Sequence, residues 1–517
     1  MFRRYGPAYR WLVTVGGLLG SMSMILSSTM VNVAVPSIMG AFGVGQDLAQ
    51  WAATGFLATM VASQLLNAWA VRAFGHRTTF LLALVIFSAG AVIGASAPNI
   101  ETLIAGRVMQ GFAAGLIQPL TMATVVAVFP PERRGLAVGI YGMGVTLAPS
   151  FGPFVGGLAI DALSWRHIFV VPLPLVGIAF LMGLVFMPSK PFSWRLPPFN
   201  WSGYILLGTA LVCIMSGIGN GQRWGWSSDL TLIVFVAGIT AGILFVYAQL
   251  HSKNPLLDVS LFGNLQFTSA MLIAFAFGMG NFATNYSIPV FAQTVQGFTP
   301  TQAGLVIVPA GLILVTLTPL SGRLADTLPS HYPIMAGCVV FAVAAFLMAG
   351  MDVNTPYWSI AVFAMLSRGA IGMVNPNMGK VAIGSSPSDK INQAAGTYNF
   401  IRQMGGAFGV NITAVTIEMQ TAHHADLLTA TQTSSNTQSL EVLDAISKLL
   451  SAGGIPDAAL HGGALNYLSA VIYAQARTFG FQDSFYQICF AFLIAFIPAW
   501  MLSRANRRAG ALAARRA

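Results

Sequence analysis

Apolar runs of about 20 residues recur along the chain from Trp11 to Leu502, and that length is what an α-helix needs to cross about 30 Å of hydrocarbon. Only one hydrophilic stretch, 421–480, is long enough to interrupt them. With 56% hydrophobic and 8% charged residues among 517, the chain falls far below the roughly one quarter charged of an ordinary globular protein. Its apolar surface calls for lipid as solvent. The expectation is a single membrane unit with no separate catalytic domain.

The qualifying runs fall at 12–35, 49–71, 78–97, 102–129, 136–160, 167–187, 203–219, 230–250, 267–291, 301–322, 333–351, 356–383, 392–418 and 483–503. They predict an all-α membrane protein of fourteen transmembrane helices, spans 1 to 14, with both termini on one side. Positive charge chooses the side. With a cytoplasmic N-terminus, eighteen of the 25 basic residues fall in inner segments and four in outer ones, while Arg107, Arg368 and Arg402 lie within spans. Both termini are therefore expected in the cytoplasm. Because the basic residues come in ones and twos between spans, the net charge of +10 reads as a topology signal and not as a nucleic-acid surface. Arg3, Arg4 and Arg10 precede an apolar run that lacks a small-residue cleavage site, so that run is the first span and not a signal peptide. Cys213, Cys338 and Cys489 lie in apolar runs without the spacing of a metal site or disulfide frame. Inside the hydrophilic stretch, Leu440 to Leu450 carries apolar residues at helical spacing, which fits a surface amphipathic helix or a docking element.

Two halves can be overlaid, as expected of a carrier built from duplicated bundles. Arg107-Val-Met-Gln-Gly111 in span 4 matches Arg368-Gly-Ala-Ile-Gly372 in span 12, and a proline follows each, Pro119 or Pro376. The segment from Gln50 to Gly75 matches that from Gln302 to Asp326 in apolar pattern, with Arg72 or Arg323 at the helix end. The predicted architecture is a six-helix bundle over 12–187, two inserted helices over 203–250, and a second six-helix bundle over 267–503 that includes the outer loop 421–480. A pseudo-twofold axis along the membrane normal relates the bundles.

Four segments carry a family signature. Ala148–Gly157 reads Ala-Pro-Ser-Phe-Gly-Pro-Phe-Val-Gly-Gly and is followed by Trp165-Arg166-His167-Ile168-Phe169. Leu103–Gly115 holds Arg107, Gln110 and Gly111; Thr29–Pro36 holds Asn32; Ala394–Gly406 holds Asn399, Arg402 and Gln403. In this order they resemble the major facilitator superfamily, specifically its fourteen-helix drug:proton antiporter group of the EmrB type, over nearly the whole chain. The resemblance implies proton-driven export of small amphipathic compounds across a bacterial cytoplasmic (inner) membrane. Where the source has two membranes, it also implies a periplasmic adaptor and an outer-membrane channel. Gly152, Pro153, Gly156 and Gly157 would then form the conformational motif, since small residues let helices approach and a proline permits a bend. Arg72, Arg77 and Asp326 stand at the positions of the inner gate, with Arg77 retained from its motif and Gly322 and Asp326 resembling it in the second half. Four positions depart from the group: Ser27 where an aspartate is common, Ala68 and Arg72 where a glycine and an aspartate are usual, and Phe56 where a tyrosine is usual.

A charge within hydrocarbon costs on the order of 2.5 to 3.5 kcal/mol on insertion scales, so buried ionisable residues mark candidate sites. All fifteen acids fall in loops or near span ends. From a rise of about 1.5 Å per residue, Arg368 lies about 18 Å and Arg402 about 15 Å deep, while Arg107 lies about 9 Å below the outer face. Three arginines without an acid at their depth suit an anionic or neutral substrate, because a guanidinium holds a carboxylate or phosphate bidentately. The candidate substrate residues are Arg107, Gln110, Arg368, Arg402, Asn32, Asn285 and Tyr286. Apolar lining is expected from Met22, Met24, Phe56, Met60, Phe275, Phe277 and Phe282. The remaining titratable acids for proton coupling are Glu101, Asp161 and Glu418 near the outer ends, or Glu132 and Asp326 near the inner ends. Nothing points to an enzyme or a cofactor: there is no phosphate-binding glycine loop, no metal cluster, and His423-His424 lacks the spacing of two helix-face ligands. Two other readings of the same features are an exporter of lipophilic cations and a non-transporting receptor or scaffold.

Overall fold

The computed structural model describes residues 6, 8–130, 134–189, 197–252, 255–387, 390–433 and 436–514. The side chains at 126, 134–140, 142, 143, 146, 324–327, 392, 438, 458 and 505–514 lie outside that description. In chain order the helices are α1 Ala8–Phe42, α2 Gln46–Ala49, α3 Trp51–Ala95, α4 Ile100–Val128, α5 Arg134–Ala162, α6 His167–Val170, α7 Leu173–Phe186, α8 Trp201–Trp224 and α9 Asp229–His251. They continue as α10 Leu265–Thr294, α11 Pro300–Leu305, α12 Val308–Thr327, α13 His331–Ala349, α14 Tyr357–Gly384, α15 Ile391–Ala430, α16 Thr437–Ala452 and α17 Asp457–Ala514. No strand occurs among the described residues. By length and composition the chain carries eleven to fourteen membrane-crossing helices.

Breaks in these helices have local causes. The 45 residues of α3 turn at Gly75, whose φ of 81° and ψ of 163° lie in territory that only glycine enters at little cost. Pro172 separates α6 from α7. The predicted outer loop 421–480 is helical over most of its length, because α15 runs on to Ala430, α16 follows, and α17 begins at Asp457. A polar composition keeps this stretch out of lipid, but its Ala, Leu and Gln residues are good helix formers. The amphipathic helix expected at Leu440 to Leu450 lies within α16, which packs on α17.

Packing follows one scheme twice. In the N-terminal half α1 lies along α5 and α3 along α4; in the C-terminal half α10 lies along α15 and α12 along α14. The halves meet through α1 on α10, α3 on α15, and α5 on α11 and α12, a set that maps onto itself when the halves are exchanged. Glycines set the closest approaches. A Cβ on Gly111 would strike the Phe56 carbonyl of α3, and one on Gly278 of α10 would strike the Arg402 carbonyl of α15. The pair α8 and α9 touches the rest mainly through α8 on α15 and α3. Ile233, Val236, Ile239 and Ile243 of α9 are exposed, as suits a face turned to lipid.

Candidate functional site

Between the halves lies a cavity of about 580 Å³. The N-terminal half contributes mainly apolar and hydroxyl side chains, among them Ile25, Ser28 and Thr29 of α1, Met60 of α3, and Gln118 and Met122 of α4. The C-terminal half contributes Asn281, Phe282 and Asn285 of α10, Arg368, Ile371 and Asn375 of α14, and Tyr398, Asn399, Arg402 and Gln403 of α15. These positions share helix faces: Arg368, Ile371, Asn375 and Gly379 are spaced by three and four residues, as are Tyr398 and Arg402, and Asn399 and Gln403. Both guanidinium groups of the cavity therefore come from one half. No carboxylate lines the cavity among the described residues.

The two arginines are held differently. Arg368, 2% exposed, donates through Nη1 to the side-chain and main-chain oxygens of Asn281, and its Nη2 has no hydrogen-bond partner. Arg402 is half-buried and its guanidinium makes no hydrogen bond or ion pair among the described residues. Its backbone is fixed by the close approach of Gly278, so the side chain is anchored at its root and free at its tip.

One end of the cavity is sealed. Asn32 Nδ2 donates to the Asn285 carbonyl at 3.2 Å, and Gln293 Nε2 to the Val33 carbonyl at 2.9 Å. Beyond them α5 meets α11 without room for a side chain: a Cβ on Gly157 would strike the Pro300 carbonyl, and one on Gly304 would strike that of Pro153. Asp161 Oδ2 accepts the Thr301 amide at 2.9 Å across the same junction. On its other face α5 sets Gly152 against Thr29 and Gly156 against Met30 of α1. The small-residue motif of α5 thus serves a contact within its half and one between halves. Toward the opposite end, where the N-terminus lies, a Cβ on Gly379 would meet nothing within 4 Å.

Several expected site residues lie elsewhere. Arg107, 0% exposed, donates from Nε to the Ala52 carbonyl at 2.7 Å, and from Nη1 to Ser27 Oγ at 3.1 Å and Gln110 Oε1 at 2.9 Å. The Phe56 ring centroid is 4.3 Å from its guanidinium carbon. Arg107 and Gln110 are enclosed within the N-terminal half and do not line the cavity. Tyr286 is wholly buried behind Asn285, and Asn32 belongs to the seal. Of the expected apolar lining only Met60 and Phe282 reach the cavity. Arg72 is exposed beside the Gly75 turn, and the Arg77 amide donates to the Pro188 carbonyl at 3.2 Å. Between them His76 Nδ1 lies 2.8 Å from Thr124 Oγ1, and burial pushes its pKa below the ordinary value. Glu132 and the Asp326 side chain lie outside the described residues. Glu101 is exposed in the first turn of α4, Asp161 is exposed at the seal, and Glu418 is half-buried on α15.

A helical membrane chain whose halves enclose a central cavity, sealed at one end and open toward the other, is a carrier. The chain belongs to the Major Facilitator Superfamily, whose model matches residues 17–410. It is 27% identical over 422 residues to the multidrug export protein EmrB of Haemophilus influenzae, covering 80% of this chain and 82% of that protein. It is 28% identical over 406 residues to the lincomycin resistance protein LmrB of Listeria monocytogenes, covering 78% and 85%. In fold it is similar to a bacterial homologue of the human lysosomal transporter Spinster in an inward-facing, unoccupied conformation. There the TM-score is 0.65 at 16% identity, over 96% of this chain and 98% of that one. The chain is a membrane transporter and not an enzyme.

Proposed function

We propose that the chain is a proton-coupled secondary exporter of small amphipathic organic anions or neutral molecules. The observation that carries the substrate class is the charge of the cavity, two guanidinium groups and no carboxylate. Arg402, free at its tip, grips a carboxylate or phosphate through paired N–H donors, and Arg368 adds a second positive charge from α14. Asn285, Asn399 and Gln403 offer neutral hydrogen bonds, while Ile25, Met60 and Phe282 cover an apolar body. In this reading Arg107 and Gln110 hold the N-terminal half together, Asn32 and Tyr286 belong to the seal, and Gly152, Pro153, Gly156 and Gly157 form the surface on which the halves rock.

The same reading takes fourteen spans. Eleven helices qualify directly; α3 crosses twice about Gly75, and α5 and α15 cross once each. The bundles are 12–187 and 267–503, with 203–250 inserted between them. The excess of basic residues at the end bearing the N-terminus supports a cytoplasmic location for both termini in a bacterial inner membrane. The cavity is then inward-open. Arg72, Arg77 and Asp326 belong to the inner gate, and a periplasmic adaptor, where one exists, would meet the helical extension over 421–480. A second reading is export of lipophilic cations among a wider set of drugs, in line with a relative named as a multidrug export protein.

Purified protein in proteoliposomes separates the two. Aromatic carboxylates or fatty acids should compete for binding and dissipate an imposed pH gradient, whereas cationic dyes should not. Competition by the dyes alone would overturn the anion reading.

A further inference from the structure

At the sealed end, one carboxylate from each half faces the same point of the chain. Asp47 lies in α2, which joins α1 to α3, and Glu418 lies near the outer end of α15. A Cβ on Gly45 would sit 2.6 Å from Asp47 Oδ1 and 3.6 Å from Glu418 Oε1, so both acids face the same point of the chain. Neither makes a hydrogen bond or ion pair through its side chain among the described residues. The charged groups that act on Glu418 are Asp47 and Arg477 of α17, and Tyr473 of α17 lies in reach of both Glu418 and Arg477. Beneath the acids, Gln46 is 1% and Tyr286 0% exposed; Gln46 Nε2 and the Tyr286 hydroxyl close no hydrogen bond, although the hydroxyl lies beside Gln46 and within electrostatic reach of both acids.

Two like charges brought together resist joint ionisation, so the approach of Asp47 favours a proton on Glu418. A protonated carboxyl can donate to its neighbour, whereas two carboxylates can only accept. The contact exists only while the sealed end is closed, because the acids belong to different halves. We propose that Glu418, facing Asp47 across the two halves, is the proton-binding group of the outer gate: one proton taken from the outer solution onto Glu418 removes the repulsion between the acids and holds the gate shut, and its return to that solution lets the halves part. This rests on the reading of the chain as an alternating transporter whose sealed end faces outward. The closed gate binds more protons than the open one, so linkage favours closure as outer pH falls and opening as it rises. A low outer pH would then return an emptied exporter to its inward-open form.

The test uses the full chain in lipid nanodiscs, with the three native cysteines replaced by alanine and spin labels at Ser96→Cys and Asn354→Cys, exposed positions at the outer ends of the two halves. Distances are measured from pH 5 to pH 9. The population with a long distance should rise with pH in the parent, and Asp47→Asn or Glu418→Gln should lower it about tenfold at the alkaline end, one pK unit of lost coupling. Both replacements mimic the protonated acid and keep its shape. A pH response unchanged in both variants would overturn the proposal. If the distance answers an added organic anion but not pH, the proton site falls and the transporter reading stands. If it answers neither, the transporter reading falls with it.

Discussion

Arg107 and Arg368 occupy matching places in the two halves, each four residues before a glycine on a helix that later carries a proline. Their surroundings differ. Arg107 is closed in by Ala52, Ser27, Gln110 and the Phe56 ring, all within the N-terminal half. Arg368 has one side-chain partner, Asn281, and forms part of the cavity wall with Arg402. Duplication delivers the same charge to both halves, and the neighbours decide its use. Nη2 is without a partner in both, so position decides the use: enclosed by three oxygens of its own half the guanidinium acts as a strut, and at the cavity wall its remaining donors are available to a ligand.

The largest expected effect separates these roles. Arg402→Gln and Arg368→Gln should each weaken binding of an aromatic carboxylate by about 10- to 100-fold, the range of a charged hydrogen bond worth about 1.5 to 3 kcal/mol. Melting temperature in detergent should move little in Arg402→Gln, whose side chain has no protein partner to leave behind. Equal losses for a carboxylate and a lipophilic cation would place both arginines in packing and collapse the contrast. Arg107→Leu should behave in the opposite way. It orphans the buried Gln110 and Ser27 oxygens, so stability should fall by about 1 to 3 kcal/mol while carboxylate affinity per folded molecule stays within about threefold. Scanning calorimetry beside a binding isotherm reads both quantities from one preparation.

How much of this was legible in the chain depends on which physical rule governed each part. Bilayer thickness fixes helix length, so the ends of α4, α9, α13 and α14 lie within two residues of the ends of the predicted spans. The same rule is silent beyond the membrane, which is why 421–480 read as a loop although α15 and α17 run through much of it. At the cavity, the cost of burying charge drew attention to Arg368 and Arg402, but depth says nothing about which way a helix face points. Arg107, equally buried, turns into its own half. The helical spacing of Arg368 with Asn375, of Tyr398 with Arg402, and of Asn399 with Gln403 was the available signal for the polar wall. Ser28 and Ser150 carried no such signal. The pairing of Asp47 with Glu418 was beyond reach of the sequence, because the acids lie 371 positions apart and meet only through the closure of the two halves.

The smallest effect sharpens the comparison most. Ser27 lies 3.1 Å from Arg107 Nη1 and is 2% exposed, so Ser27→Asp places a carboxylate where the hydroxyl now accepts. The attraction gained is opposed by the cost of burying a second charge, and the net change in stability should stay within about 1 kcal/mol. Carboxylate binding should be unaffected, since the new charge pairs with an arginine that does not line the cavity. Were Arg107 a substrate contact, the same replacement would neutralise it and abolish anion binding. An isotherm for one aromatic carboxylate, measured on Ser27→Asp and on Arg402→Gln side by side, decides the matter: loss in the second alone keeps the strut and the site apart, and loss in both merges them.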